Sequence, residues 1–190
     1  MTAVSVTAQS RSALAGIPCG TWQIDPAHSV VGFAVRHLMS KVRGRFDEFE
    51  GQLTIDEEPQ RSTAHVEIAL ASVDTGNAMR DNHLRSADFF DVEHYPTMTF
   101  TSTGLRELDD AWVLDGELTI RDVTRKVHIE LELLGFDPTG MQGEQRIGFE
   151  GRTSINRSDY GVSFGLSDSG KIVVADRVDI LLEIEAVLAA

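Results

Sequence analysis

The chain has 190 residues, 42% hydrophobic and 25% charged, and its 30 acidic and 17 basic residues give a formal net charge of −13. This length suits a single domain with a core large enough to need no crosslinks, and the lone cysteine, Cys19, excludes an internal disulfide. The negative charge disfavours nucleic acid and anionic membrane surfaces as partners. No apolar run approaches the roughly 20 residues of a spanning helix, so stable membrane insertion is not expected.

Residues 1–20 are predicted to form a flexible leader, followed by one domain over residues 21–190. The leader has no Lys or Arg before Arg11, and its apolar stretch at residues 13–17 is too short for the core of an export signal. We therefore expect a cytoplasmic protein.

From Gly20 onward, apolar and polar residues alternate with a period of two, which is typical of strands with one buried face. In the first such run, SVVGFAVRH, Val31, Phe33 and Val35 share one face and His37 lies at its end. This face is predicted to point toward the interior.

The second run, KVRGRFDEFEGQLTI, breaks the alternation, because its apolar residues occupy even positions up to Phe46 and odd positions from Phe49. A regular strand would turn the later side chains to the wrong face. An extra residue near Asp47 and Glu48 restores the facing and bends the strand, so we predict a β-bulge there.

The later runs alternate in the same way and bring the count to about eight strands. Their inward candidates are Val66, Ile68, Leu70, Met98, Phe100, Leu118, Ile120, Val127, Ile129, Leu131, Leu133, Ile147, Phe149, Val178, Ile180, Leu182 and Ile184. Such strands close most simply as an antiparallel barrel or as a two-sheet sandwich. The predicted fold class is therefore all-β.

One segment, residues 77–92, does not follow the period of two. Met79, His83, Ser86 and Phe90 recur there at helical spacing, which predicts a helix between the third and fourth long strands. With Phe89 and Phe90 facing apolar space, this helix would act as a plug or lid.

The histidines and serines do not form a recognisable catalytic or metal motif. None of the six histidines lies in a ligand spacing such as HExxH, so only a meeting of His37 and His83 in space would create a metal site, and none is predicted. The segment GVSFG, residues 161–165, matches the nucleophile-elbow pattern at Ser163. It lies in a loop of an all-β chain, and we interpret the match as a coincidence.

Acidic residues are dense around the predicted helix, at Asp81, Asp88, Asp91 and Glu93. Ion pairs at helical spacing and capping of helix ends explain this density without catalysis. The alternative is an enzyme that uses His83, Asp88 and His94 as general acids and bases.

Whether the protein binds a ligand depends on whether the interior of the barrel is filled. A closed barrel of about eight strands is either filled by side chains or holds one small ligand. Such pockets bind long apolar molecules, with a few polar groups at the mouth.

Several long sequence motifs of the chain resemble those of the YceI-like family of bacterial proteins. The resemblance covers about residues 21–187 and is carried by TWQIDPAHSVVGFAVRH, VRGRFDEFEGQL, SVDTGNAMRDNHLRSADFFDVEHYPTMTF, GELTIRDVTRKV and INRSDYGV. One departure is DVT at residues 122–124, where the family has GVT. The resemblance implies an eight-stranded antiparallel lipocalin-like barrel with a helix over one end, near residues 77–92. It also implies binding of polyisoprenoid lipids such as prenyl phosphates or quinone tails, although related members accept fatty-acid-like amides and many are periplasmic.

Our main hypothesis is a non-enzymatic protein that binds an isoprenoid-like or fatty-acid-like lipid for transport, storage or sequestration, without a cofactor and with a homodimer as its candidate assembly. The predicted cavity wall consists of Val31, Phe33, Val35, Met98, Phe100, Ile129, Leu131 and Phe149. The predicted contacts to the polar head are His37, Arg80 and His83. The alternatives are an enzyme acting on such a lipid and a packed barrel that serves as a stress or interaction module.

Overall fold

The computed structural model describes residues 16–108, 111–165 and 174–189. The strands are β1 (Gly20–Ile24), β2 (Val30–His37), β3 (Ser40–Phe46), β4 (Phe49–Ile55), β5 (Thr63–Ala69), β6 (Val73–Asp74), β7 (Thr97–Leu108), β8 (Ala111–Ile120), β9 (Val123–Asp137), β10 (Arg146–Asn156) and β11 (Val174–Leu188). The α-helix described is α1 (Ala78–Arg85), and short 3-10 turns connect several strands.

All strand pairs are antiparallel, and the sheet closes on itself in the order β1-β4-β5-β7-β8-β9-β10-β11, with β11 pairing back to β1. The last strand also pairs with β2, for example at Val178 and Val35, so β1 and β2 act as one bent strand. In the same way β3 continues into β4, and β5 into β6. The result is the predicted eight-stranded antiparallel barrel, and the sandwich alternative is wrong.

The bend between β3 and β4 lies where the alternation of the sequence breaks. Strand β3 ends at Phe46, which pairs with Val73, and β4 begins at Phe49, which pairs with Ile68. Both phenylalanines are buried although their positions differ in parity. The two residues between them therefore reset the facing of the strand, as predicted.

Helix α1 is shorter than the predicted segment of residues 77–92. Asn77 caps its start, accepting a hydrogen bond from the Arg80 amide at 3.0 Å. At its end Ser86 is extended, with both its amide and its hydroxyl donating to the His83 carbonyl, and residues beyond it form turns. Of the residues at helical spacing, Met79 is 84% exposed, whereas His83 and Phe90 face the barrel interior together with Leu84.

The packed domain begins earlier than predicted. Ile17, assigned to the leader, is buried in a cluster with Trp22, Ile147 and Ala186, where β1 meets β11. The Trp22 indole also donates a hydrogen bond to the Pro18 carbonyl at 3.3 Å. Residues 1–15 of the predicted leader lie outside the described residues.

The helices of the described ranges lack the length and apolarity needed to cross a bilayer.

Candidate functional site

The interior of the barrel contains a cavity of about 440 Å³ with a wall made mostly of aliphatic and aromatic side chains. Every long strand contributes inward residues to this wall, because alternate side chains of each strand point to the barrel axis. The structure places all eleven predicted residues on it: Val31, Phe33, Val35, His37, Arg80, His83, Met98, Phe100, Ile129, Leu131 and Phe149. Their contact with a ligand stays a prediction.

Two glycines let aromatic rings approach the cavity wall closely. A Cβ atom on Gly44 would come within 2.4 Å of the Phe33 ring, and one on Gly116 within 2.4 Å of the Phe100 ring. Each ring thus covers the backbone of a neighbouring strand, at a place where only glycine leaves room. A ring packed against the wall takes less of the space along the barrel axis.

The predicted polar residues all line the cavity, Arg80 and His83 from α1 and His37 from the end of β2. Arg80 donates from Nε to the Thr75 hydroxyl at 2.7 Å and from Nη2 to the Thr75 carbonyl at 2.8 Å. Nε2 of His83 lies 2.8 Å from a carboxylate oxygen of Asp88. His37, at the end of β2, lines the same cavity. Much of the hydrogen-bonding capacity at this mouth is therefore already used within the protein.

An aromatic cluster covers this mouth. The ring of His83 meets the ring of Phe89 edge to face, with centroids 5.1 Å apart, and that of Phe164 at 4.8 Å. Phe89 and Phe164 are 5.3 Å apart, and Phe164 is 46% exposed. Phe89 was predicted to belong to a lid, whereas Phe164 was not, because it lies in a loop without periodic signal.

Arg157, a buried residue on the cavity wall, was not predicted either. Its guanidinium donates four hydrogen bonds, each of 2.8–2.9 Å, to main-chain carbonyls of the following loop and of β11. Burial lowers the pKa of Arg157, and the charge of Asp176 opposes that shift. Arg157 thus holds the Phe164 loop against the start of β11.

The three residues of the enzyme alternative do not converge. His83 pairs with Asp88, whereas Nδ1 of His94 pairs with Asp91 at 2.9 Å, and His94 does not line the cavity. The hydrogen bond that His94 donates to the Asp91 carboxylate raises the pKa of the imidazole. Ser163 is exposed in a loop, and no helix follows it in the residues described up to 165. The arrangement resembles surface ion pairing more than a catalytic centre.

One group of potential metal ligands occurs within the described ranges. Donor atoms of Asp25, His28 and Glu185 lie within 4.8 Å of one another. The Arg146 guanidinium donates to Asp25 at 2.9 Å and to Glu185 at 2.5 Å, so a positive charge already occupies this group. Hydrogen bonds from His28 and Arg146 lower the pKa of Asp25.

Comparison with known proteins places the chain in a family. A family model described as a YceI-like domain matches residues 22–186. The chain is 35% identical over 191 residues to a UPF0312 protein of Photorhabdus laumondii, covering 98% of this chain and 94% of the relative. It is 37% identical over 164 residues to Protein YceI of Escherichia coli O157:H7, covering 84% of this chain and 82% of the relative.

Solved structures show the same fold. BcnA of Burkholderia cenocepacia matches with a TM-score of 0.76 and 25% identity, covering 85% of this chain and 98% of BcnA. A polyisoprenoid binding domain from Saccharophagus degradans matches with a TM-score of 0.70 and 17% identity, covering 90% of this chain and 100% of that domain. Because the family model matches residues 22–186 and a relative is 35% identical over 98% of the chain, the chain belongs to the YceI-like family.

Proposed function

We propose that this protein binds a long apolar lipid of the isoprenoid type inside its barrel, for transport, storage or sequestration, without changing it chemically. The observation that carries the proposal is the cavity of about 440 Å³ with an apolar wall. This volume lies within the roughly 300–1,000 Å³ of pockets that enclose small molecules. The fold shared with a domain named for polyisoprenoid binding supports the same ligand class.

The candidate lipids are a prenyl phosphate, a quinone and a fatty-acid-like amide, and they differ mainly in their polar head. The polar mouth at His37, Arg80 and His83 suits an uncharged head that exchanges hydrogen bonds, such as a quinone or an amide, while the apolar wall takes the chain. The homodimer and the cytoplasmic location stay predictions.

The cavity also bears on the two alternatives. A packed barrel would leave no internal space of this size, so the stress or interaction module without a ligand has less support. An enzyme would need acid and base groups converging on one point of the cavity, and His83 and Asp88 are the one pair of the three candidates in contact.

The test is extraction of protein freshly purified from its own host with organic solvent, followed by mass spectrometry. We expect an apolar compound whose chain is long enough to span much of the barrel. Protein that yields no lipid and takes up none from an added prenol or quinone series would remove the carrier hypothesis.

A second measurement separates binding from catalysis. His83→Ala, Asp88→Ala and His94→Ala are expected to keep lipid uptake in the folded fraction, because the aliphatic and aromatic residues that hold the chain are unchanged and His83 lies at the polar mouth. If one of them abolished a measured turnover of the bound lipid without changing the melting temperature, the enzyme alternative would replace our proposal.

A further inference from the structure

The wall of the barrel has a seam between β9 and β10, at the end that α1 covers. The ladder between these strands runs only to the pair of Arg152 and Glu130. Beyond it, residues 123–129 of β9 pair with β8 alone, and residues 153–156 of β10 pair with β11 alone. Over these stretches the two strands diverge, so the wall lacks main-chain pairing there among the described residues.

Arg125 shows that the seam opens to solvent. It lies on the same face of β9 as the buried Val127 and Ile129, and it pairs across β8 with the buried Leu118. A residue at this position in a closed wall would be enclosed, yet Arg125 is exposed. No hydrogen bond or ion pair holds its guanidinium within the described part of the chain.

Tyr160 closes the inner side of the seam. It lies in the 3-10 turn that follows β10, is 2% exposed and lines the cavity. Its hydroxyl is buried without a hydrogen-bond partner, which is costly for a polar group. Burial and the charge of Asp159 raise the pKa of Tyr160 to about 12, and the charge of Arg125 opposes that shift. Tyr160 and Arg125 line the same surface groove. The hydroxyl is a buried donor that a ligand would satisfy.

A groove rich in basic residues lies outside the seam. Its volume is about 1130 Å³, and its Arg and Lys residues outnumber its Asp and Glu residues by five to three, although the whole chain carries −13. The basic residues are Arg43, Arg125, Lys126, Arg152 and Arg177, and the acidic ones are Glu130, Asp159 and Asp179. Val127, Ile155 and Tyr160 line both this groove and the internal cavity, so only a thin layer of side chains separates the two spaces.

We propose that this seam is a side portal that binds the anionic head of the lipid, a phosphate or diphosphate ester, between the Arg125 guanidinium and the Tyr160 hydroxyl, while the chain lies in the barrel. The inference rests on the proposed function and assigns the place of the head group. A guanidinium presents several N–H donors in a fork that matches phosphate oxygens. The mouth under α1 suits an anion less well, because Arg80 is bonded to Thr75 and His83 is paired with the carboxylate of Asp88.

The test compares two lipids with the same chain. Geranylgeranyl diphosphate and geranylgeraniol are titrated into delipidated protein, with inorganic pyrophosphate as a third probe. We expect the wild-type protein to bind the diphosphate about tenfold more tightly than the alcohol, as befits charge-assisted hydrogen bonds in a partly buried site. Arg125→Gln removes this preference and leaves the affinity for the alcohol unchanged. Tyr160→Phe weakens the diphosphate severalfold and folds normally, since its hydroxyl has no partner to lose.

The matched control is Arg61→Gln, which removes the same charge from an exposed position paired with Glu58, outside the groove. It is expected to keep the preference for the diphosphate. Equal affinities of wild-type protein for the two lipids, or an unchanged preference in Arg125→Gln, would overturn the portal. So would a preference lost in Arg80→Gln instead, or pyrophosphate binding as tightly as the diphosphate lipid, which would indicate a free anion site. Failure of both lipids to bind would instead refute the proposed function.

Discussion

Replacing Arg157 by methionine removes the most densely bonded buried cation of the described residues. The side chain is 6% exposed, and its three nitrogens donate to the carbonyls of Val162, Phe164, Val174 and Ala175. Methionine keeps much of the apolar stem but makes none of these bonds. The bond to Val162 is fully buried and the other three are partly buried, so the carbonyls differ in how well water can replace the guanidinium.

The expected loss of unfolding free energy is about 2–4 kcal/mol. A fully buried carbonyl without a partner costs about 1–3 kcal/mol, and each partly buried one about 0.5–1 kcal/mol. Relief from burying a charge, visible in the lowered pKa of Arg157, offsets part of this sum. With a urea dependence of about 2 kcal/mol per molar for a domain of this size, the midpoint of unfolding should fall by roughly 1–2 M.

Urea unfolding followed by tryptophan fluorescence measures the effect, since Trp22 and Trp112 are both buried. The matched control is Arg152→Met on β10, which breaks an exposed ion pair with Glu150 and should shift the midpoint by less than about 0.5 M. Equal midpoints for the two variants would refute the role given to the four hydrogen bonds of Arg157.

Three further outcomes are expected. Leu131→Trp should lower the free energy of unfolding of the ligand-free protein by less than the roughly 1–3 kcal/mol of an overpacked core. It should weaken the affinity for a long prenol about tenfold, because the indole displaces two methylenes of the ligand at about 0.8 kcal/mol each. Glu132→Trp on the outer face of the same strand should leave uptake unchanged, and a destabilised Leu131→Trp would indicate a filled barrel. Asp81→Asn should lower the free energy of unfolding by about 1–2 kcal/mol in thermal melts, because the buried carboxylate accepts hydrogen bonds from the amide and the hydroxyl of Thr75; unaltered melting would contradict this. Hydrogen bonds from basic partners lower the pKa of Asp25, Asp115 and Asp179 below 3.8. The stabilisation of the fold by these ionised carboxylates is therefore complete above about pH 5 and is lost as pH falls through the lowered pKa values. A melting temperature that stays constant down to pH 3 would disprove this pH dependence.

The strands and most of the cavity wall could be predicted from the sequence because both follow from local alternation. A period of two assigns a face to Phe33 or Leu131 without knowledge of its partners, and the parity change between Phe46 and Phe49 locates the bend. The resemblance to a family then selected a barrel over a sandwich.

The seam between β9 and β10, the loop that carries Phe164 and the end of α1 could not be predicted in this way, because they depend on contacts between distant segments. From the sequence, Arg125 is expected to be the polar end of an alternating strand. Its inward position is exposed because β10 diverges from β9 there. Arg157 lies in a segment without periodicity, and its burial depends on carbonyls up to 18 residues away. The helix ended early because Ser86 caps it, although a helical spacing continued to Phe90.

Closure of the barrel by its last strand has a consequence for how the chain folds. Trp22 pairs with Leu188, and β11 joins β10 to both β1 and β2, so the ring of strands is incomplete until the C-terminal segment arrives. Until then β10 and the β1–β2 strand each present an unpaired edge, the kind that recruits other chains into aggregates. Such long sequence separation also predicts slow folding. A chain truncated before β11 should therefore aggregate and remain protease-sensitive, and addition of β11 (Val174–Leu188) should be the step that makes the protein resistant to cleavage.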